Sequence, residues 1–266
     1  MNEYFKYDDS DISAHFSSTD FPDPKSFSMH THDKCELYYF SEGKGSFKIE
    51  GNSYPLKPND ILIMRPNEAH YIEIDGSKKY TRFAIHFDPN LFSKIDPNGV
   101  LLQPFFNRES GIGNLYREEM FENMNCKRYI EAMTARCVDR RVGLLANLLP
   151  LLNELSAAYH NGHYDDYSDS VSHKIVGYIN RHITENITLD LICDEFFISK
   201  PQLCRIFKKS TGSTVWNYIT VKRIVTAKDM IASGVPPVKA AESCGFNDYS
   251  VFYRAYKKQY GSSPSK

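Results

Sequence analysis

The sequence has no run of eighteen consecutive apolar residues, so it offers no continuous stretch that would span a bilayer as a wholly apolar helix. It also lacks the basic-then-apolar opening of a secretory signal. Its first residues, Met1-Asn2-Glu3-Tyr4, set the expectation of a cytoplasmic protein with no membrane partner. Cysteine is sparse: Cys35, Cys126, Cys137, Cys193, Cys204 and Cys244 show neither CxxC nor CxxxC spacing. That pattern argues against a zinc-binding cysteine set or a redox pair, and for reduced thiols, most of them buried. Strong net charge is missing too, at −1 overall, and 41% hydrophobic residues exclude a disordered or fibrous chain. With 266 residues, two domains are expected.

The charge that is present is unevenly placed. Residues 172–266 carry 14 Lys/Arg against 7 Asp/Glu, whereas residues 1–171 carry 18 against 26, so the two parts hold +7 and −8. An asymmetry of this kind fits one part meeting a polyanion while the other does not. Two solvated faces that differ in sign without consequence would give the same count.

Short alternating segments fill residues 27–89, notably Glu36 to Phe40, Gly45 to Glu50, Asp60 to Met64 and Tyr80 to Phe87. The turn sequences Glu42-Gly43-Lys44-Gly45, Glu50-Gly51-Asn52 and Lys57-Pro58-Asn59-Asp60 separate them, which predicts an antiparallel barrel or sandwich. From about Asn114 the pattern becomes helical. Between Cys137 and Tyr159, Val138, Val142, Leu145, Leu148, Leu149, Leu152 and Leu155 recur at helical spacing. That helix serves either dimerisation or packing against its own barrel. Residues 160–171 are polar, contain a glycine and show no periodicity, so a linker is placed at 161–171 between domains at 1–160 and 172–266.

The most informative feature is an internal repeat at an offset of 49 residues, which lays Phe197 to Gly212 over Phe246 to Gly261. Phe197 meets Phe246, Leu203 meets Phe252, Arg205 meets Arg254, Phe207 meets Tyr256, and Lys208-Lys209 meets Lys257-Lys258. In each copy a short helix (about Leu189 to Glu195, and Pro237 to Ser243) leads through a tight turn to a second helix. Ser199 with Gln202 three residues on reads as a capping box for the first of these second helices, Asp248 as a cap for the other, and Pro236-Pro237 suits a helix start. Two helices joined by a short turn make a helix-turn-helix, whose second helix enters the major groove of double-stranded DNA. The expected groove-facing residues are Lys200, Pro201, Cys204 and Arg205 in one copy, and Tyr249, Ser250, Tyr253 and Arg254 in the other. Arg205 and Arg254 can pair bidentately with guanine, while Lys208, Lys209, Lys257 and Lys258 suit phosphates. The bland alternative is that these lysines only complement helix dipoles. Between the copies, Val215 to Ala232 reads as one long helix.

The stretch from Ile175 to Lys266 resembles the AraC/XylS family of bacterial transcription factors. The resemblance is carried by Phe207-Lys208-Lys209 with Gly212, by Arg223 with Ala227, and by the run from Gly245 to Arg254 with Gly261 and Pro264. Two departures stand out: Phe196 sits where a small turn residue would pair with Gly245, and Pro201 and Cys204 are poor hydrogen-bond donors. The resemblance implies a sequence-specific regulator that responds to a small molecule, commonly by activating transcription, with RNA polymerase as a further partner and a homodimer as the working unit.

His30-Thr31-His32 followed by Glu36, then Gly43, Pro66 and His70, looks like the two motifs of the cupin barrel. In metal-binding cupins such residues converge on one ion, and imidazoles with a carboxylate suit Fe, Mn, Ni or Zn. Regulators of the resembled family use the same barrel as an effector pocket, often without metal, so no cofactor is expected; were a metal bound, His30, His32, Glu36 and His70 would hold it. A sugar effector calls for polar groups interleaved with aromatic faces. His30, His32, Glu36, Tyr38, His70, Tyr80, Arg82 and His86 are the residues of that kind. Which face of the segment Tyr80 to Phe87 lines the lumen is undecided by sequence.

The fold expected is therefore α+β in two domains: a cupin-like β-barrel with flanking helices, then an all-α domain of two helix-turn-helix units joined by a long helix. The function expected is that of a non-enzymatic, effector-responsive DNA-binding regulator. The alternative is a metal-dependent cupin enzyme that its DNA-binding half localises.

Overall fold

The computed structural model describes residues 3–121, 126–162 and 170–264. Backbone proximity divides the chain into two compact units, residues 1–168 and 169–266. Of the expected linker, residues 163–169 lie outside the described residues.

The first unit is built on two antiparallel sheets. Strands β1 (Glu3–Asp8), β2 (Ile12–Thr19), β3 (Cys35–Glu42), β6 (Asp60–Met64), β8 (Tyr80–Phe87) and β9 (Leu115–Tyr116) form one sheet in the order β1-β2-β8-β3-β6-β9. Strands β4 (Gly45–Ile49), β5 (Asn52–Pro55) and β7 (His70–Ile74) form the other, in the order β5-β4-β7. Helices α1 (Gln103–Phe106), α2 (Cys126–Thr134) and α3 (Arg140–His160) complete the unit. Successive side chains of a strand point to opposite faces. Cys35, Leu37 and Tyr39 of β3 therefore join Phe83, Ile85 and Phe87 of β8 against Leu144, Leu148, Leu151, Leu152 and Leu155 of α3. On the other face, Tyr38 and Phe40 meet Phe47, Ile49 and Tyr54 of the smaller sheet. The large sheet is covered on both sides, which explains why a strand such as Ile61-Leu62-Ile63-Met64 is an unbroken apolar run.

Three expectations need correction. The sheets are not joined into a closed barrel by strand pairing among the described residues, so the cupin-like core is open. Strands begin well before residue 27, because β1 and β2 pair with each other and β2 continues onto β8. The helical region does not start cleanly at Asn114 either. Helix α1 precedes it, and Leu115-Tyr116 adds a strand beside β6.

Helix α3 is capped by Asp139, whose carboxylate accepts from the amide of Val142. Among the described residues it is the one helix whose length and composition would suit a membrane span. Its leucines instead fill the core of this unit, with Val138 and Val142 left exposed. The loop after α1 is fastened by the buried Glu68, whose carboxylate accepts both guanidinium nitrogens of Arg108 at 2.7 Å, the Gly111 amide at 2.8 Å and the Asn114 side chain at 3.1 Å. Burial alone would raise the Glu68 carboxyl, but Arg108 and these bonds outweigh it and hold it down at about 2.

The second unit contains only helices among its described residues: α4 (Val171–Arg181), α5 (Leu189–Phe196), α6 (Lys200–Thr211), α7 (Val215–Ala232), α8 (Pro237–Ser243) and α9 (Tyr249–Tyr260). Ser170, Thr188, Ser199, Thr214 and Asp248 each cap the helix that follows by accepting a backbone amide hydrogen bond. Gly212 and Gly261 close α6 and α9 in the left-handed conformation, at φ of 68° and 71°, where glycine carries no Cβ penalty. Helix α7 covers the stretch read from sequence, and its Ile224, Ala227 and Ile231 pack with Ala240, Ala241, Phe252 and Tyr256 of the second helix-turn-helix.

Candidate nucleic-acid interface and effector cavity

The amphipathic spacing of α6 buries Leu203 and Phe207 and leaves Lys200, Pro201, Cys204, Arg205, Lys208 and Lys209 exposed. Helix α9 repeats the arrangement, burying Phe252 and Tyr256 and exposing Tyr249, Ser250, Tyr253, Arg254, Lys257 and Lys258. The structure thus brings all twelve residues singled out for DNA onto two solvent-facing helix surfaces. Lys200 is engaged within its own unit, because its ammonium lies 2.7 Å from Asp190 in an exposed ion pair. Such a pair contributes little and opens readily to a phosphate.

The repeat is imperfect at its turns. In the second unit Gly245 takes the left-handed conformation (φ 78°), Phe246 tucks against Phe252, and the residues between the helices run from Cys244 to Asp248. In the first unit Phe196 continues α5, and the left-handed residue is Phe197 (φ 52°), leaving a turn of Phe197, Ile198 and Ser199. The pairing of Phe197 with Phe246 therefore fails in space. Phe197 is 95% exposed, while Phe196 packs edge-on against Tyr178. The capping box is half present: Ser199 accepts from the Gln202 amide, as the cap requires.

Sequence reading missed Arg223, beyond its place in the resemblance. Its guanidinium donates to the carbonyls of Ile183 (2.8 Å), Glu185 (2.6 Å) and Gly245 (2.8 Å), tying the loop before α5 to the turn after α8. A Cβ on Gly245 would stand 2.8 Å from that guanidinium.

In the first unit, a cavity of about 270 Å³ opens between the sheets. Its lining includes His30, Glu36, Tyr38, His70, Tyr80, Arg82 and His86, seven of the eight residues expected at an effector site. Register settles the face that sequence left open: Glu36 stands opposite His86, Tyr38 opposite Ala84 and Phe40 opposite Arg82 across β3 and β8. His32, the eighth, does not line the cavity but donates from Nδ1 to the carbonyl of Lys34 and approaches Glu36 with Nε2 at 2.8 Å. His15, Phe27, Phe47, Ile72 and Ala84 also line it. His15 belongs to a strand the sequence reading did not place, and the others carry no polar signal.

Electrostatically the cavity centres on Glu36. Burial would raise its carboxyl, but the charge of His86 and hydrogen bonds from His32, His70 and His86 outweigh that and hold it well below the carboxylate range. His30 is pushed down to about 4 by burial and by His70, and His15 to about 4 by burial and Arg82. The hydroxyls of Tyr38 and Tyr80 share a 2.6 Å hydrogen bond, and burial pushes the Tyr80 phenol up to about 12. Among the described residues no carboxylate pairs with Arg82.

Residues 18–112 match the model of an AraC-like ligand binding domain, and residues 192–266 that of a helix-turn-helix domain. The probable transcriptional regulator LumQ of Photobacterium leiognathi is 32% identical, over 91% of this chain and 95% of its own. The chain belongs to the AraC/XylS family. Other relatives are the transcriptional activator RhaS of Escherichia fergusonii (22% identical, over 90% of this chain and 86% of its own) and the arabinose operon regulatory protein of Escherichia coli strain K12 (23%, over 84% and 76%). As an AraC-family protein the chain is a DNA-binding transcription regulator with a ligand-binding domain. That domain's matched segment contains the cavity between the sheets, apart from His15, and the helix-turn-helix match contains α6 and α9.

Proposed function

We propose that this AraC-family regulator is a cytoplasmic, homodimeric activator that contacts RNA polymerase, and that a carbohydrate in the cavity is its effector. The observation that carries the effector reading is the composition of that cavity. Tyr38, Tyr80, Phe27 and Phe47 supply aromatic surface for C–H faces, while Arg82, His30 and His86 supply polar atoms for hydroxyls. Its volume sits near the lower end of small-molecule sites, roughly 300–1,000 Å³, which suits a compact ligand. The names of two relatives point the same way, one as an arabinose operon regulator and one as an activator. The alternative, a cupin-type enzyme localised by a DNA-binding half, is not favoured, since the matched relatives are named as regulators.

In the second unit, Arg205 and Arg254 read bases, Lys200, Tyr249, Ser250 and Tyr253 flank them with Pro201 and Cys204 as apolar contacts, and Lys208, Lys209, Lys257 and Lys258 hold phosphates. Effector and DNA then bias one shared equilibrium. The test of the effector reading is a thermal-shift screen of the full chain against a carbohydrate panel. A ligand at 100 times its Kd raises stability by about 2.7 kcal/mol. One sugar is expected to raise the melting temperature in wild type and not in Arg82→Ala; a panel with no shift contradicts the carbohydrate reading.

A further inference from the structure

Among the described residues of the first unit, every arginine drawn partly or wholly out of solvent has an acceptor, with one exception. Glu68 holds Arg108 at 2.7 Å and Asp60 holds Arg117 at 2.8 Å, while Asp9 and Asp11 hold Arg141. Arg65 donates to the carbonyl of Arg108 at 3.1 Å and Arg140 to that of Ala135 at 2.6 Å. Arg82 is the exception: it lines the cavity between the sheets, and among the described residues no carboxylate or carbonyl accepts from it. Across the sheet it stands between Ser17 of β2 and Phe40 of β3, neither of which carries charge. The sole acid among the lining residues, Glu36, is approached instead by the Nε2 atoms of His32, His70 and His86 at 2.8, 3.0 and 3.4 Å. An arginine stays charged at any ordinary pH, and keeping that charge partly out of water without a counter-ion is costly.

We propose that the effector is a sugar acid, a uronic or aldonic acid, whose carboxylate is seated on the guanidinium of Arg82. The inference rests on the carbohydrate reading of the cavity and adds the charge of the ligand to it. A hydroxyl would accept from Arg82 but leave its charge uncompensated, whereas a carboxylate takes two parallel N–H donors and supplies the missing counter-charge. The charge count also favours a carboxylate over a phosphate ester. Burial, reinforced by Arg82, pushes His15 down to about 4, and burial with His70 pushes His30 down to about 4, so neither ring adds a cation near neutral pH. His70 and His86 face Glu36. A single guanidinium is thus left to be balanced, which a monoanion does and a dianion exceeds. The remaining groups suit the neutral part of a sugar. His30 Nδ1 lies 2.9 Å from the carbonyl of Ser28, which only accepts, so Nδ1 carries the proton and Nε2 is an acceptor for a hydroxyl. Phe27 and Tyr80, edge to face at 5.7 Å, offer ring surface to C–H groups.

The test is isothermal titration calorimetry of the full-length protein with galacturonate, glucuronate and gluconate, each beside its neutral counterpart (galactose, glucose and glucitol), and with glucose 6-phosphate. One sugar acid is expected to bind wild type at least roughly 10-fold more tightly than its neutral counterpart. Arg82→Gln keeps amide donors without the charge and is expected to weaken that acid roughly 10- to 100-fold, with Arg82→Lys recovering part of the loss. Far-ultraviolet circular dichroism of each variant without ligand checks that it is folded. A neutral sugar that binds as tightly as its acid, or a phosphate ester that binds more tightly than any of the acids, would overturn the proposal and leave the carbohydrate reading standing. Binding of neither acids nor neutral sugars would overturn both. An acid held equally well by folded Arg82→Gln would also overturn the proposal. The comparison of acid with neutral sugar uses wild type alone, so it decides even where a variant does not fold.

Discussion

A single backbone conformation distinguishes the two DNA-binding units. A bulky residue in the left-handed region costs roughly 1–2 kcal/mol, and Phe197 occupies it at φ 52° while 95% exposed, with little burial in return. Phe197→Gly is therefore expected to stabilise the protein by about 1 kcal/mol, read as a higher denaturation midpoint. A lower midpoint would show that the exposed ring makes a stabilising contact outside this account. At this scale much of the site was legible in sequence. Arg205 and Arg254 fall on exposed faces because Leu203, Phe207, Phe252 and Tyr256 claim the other side at helical spacing. The turn was legible only in part. That Phe196 departs from a small-residue position is visible in sequence, but whether the chain responds by shifting its left-handed residue to Phe197 depends on Phe196 finding Tyr178, a tertiary contact.

Among elements, long and strongly periodic ones were readable and edge pieces were not. Helix α7 and strands β6 and β8 match the sequence reading to the residue, since each has a full apolar face or a buried run between turn signals. Strands β1 and β2 went unread because they precede the first turn signals used and alternate with much polar sequence. The leucine pattern of α3 could not tell a dimer surface from a core surface; most of it lies in the core of its own unit. The contact that joins elements in the second unit was also hidden, because an Arg accepted by three carbonyls leaves no local pattern. Arg223→Ala leaves the carbonyls of Ile183, Glu185 and Gly245 without that donor, and hydrogen bonds from a charged group are worth about 1.5–3 kcal/mol. We expect a stability loss of roughly 2 kcal/mol in chemical denaturation, with Arg223→Lys recovering only part of it, since one ammonium does not reproduce the guanidinium fork. An unchanged midpoint in Arg223→Ala would remove the clamp from the account.

Across the whole molecule, the charge division read from sequence coincides with a division of labour. The acidic part contains the cavity of the ligand-binding domain, and the basic part contains the two exposed helix surfaces. Basic helices that neutralise phosphates make binding steeply salt-dependent, and base contacts add preference on top of it. The most direct test of this central claim is fluorescence anisotropy over a range of salt concentrations, using DNA enriched from a random pool by the wild-type protein. Wild type should prefer the enriched sequence to random DNA. The Arg205→Ala/Arg254→Ala variant should lose about 1–3 kcal/mol of that preference per arginine while keeping its salt dependence, whereas replacing Lys208 or Lys257 should lower the salt slope by about 1. A double-arginine variant that remains folded and discriminates as well as wild type would contradict the assignment of α6 and α9 as the reading helices.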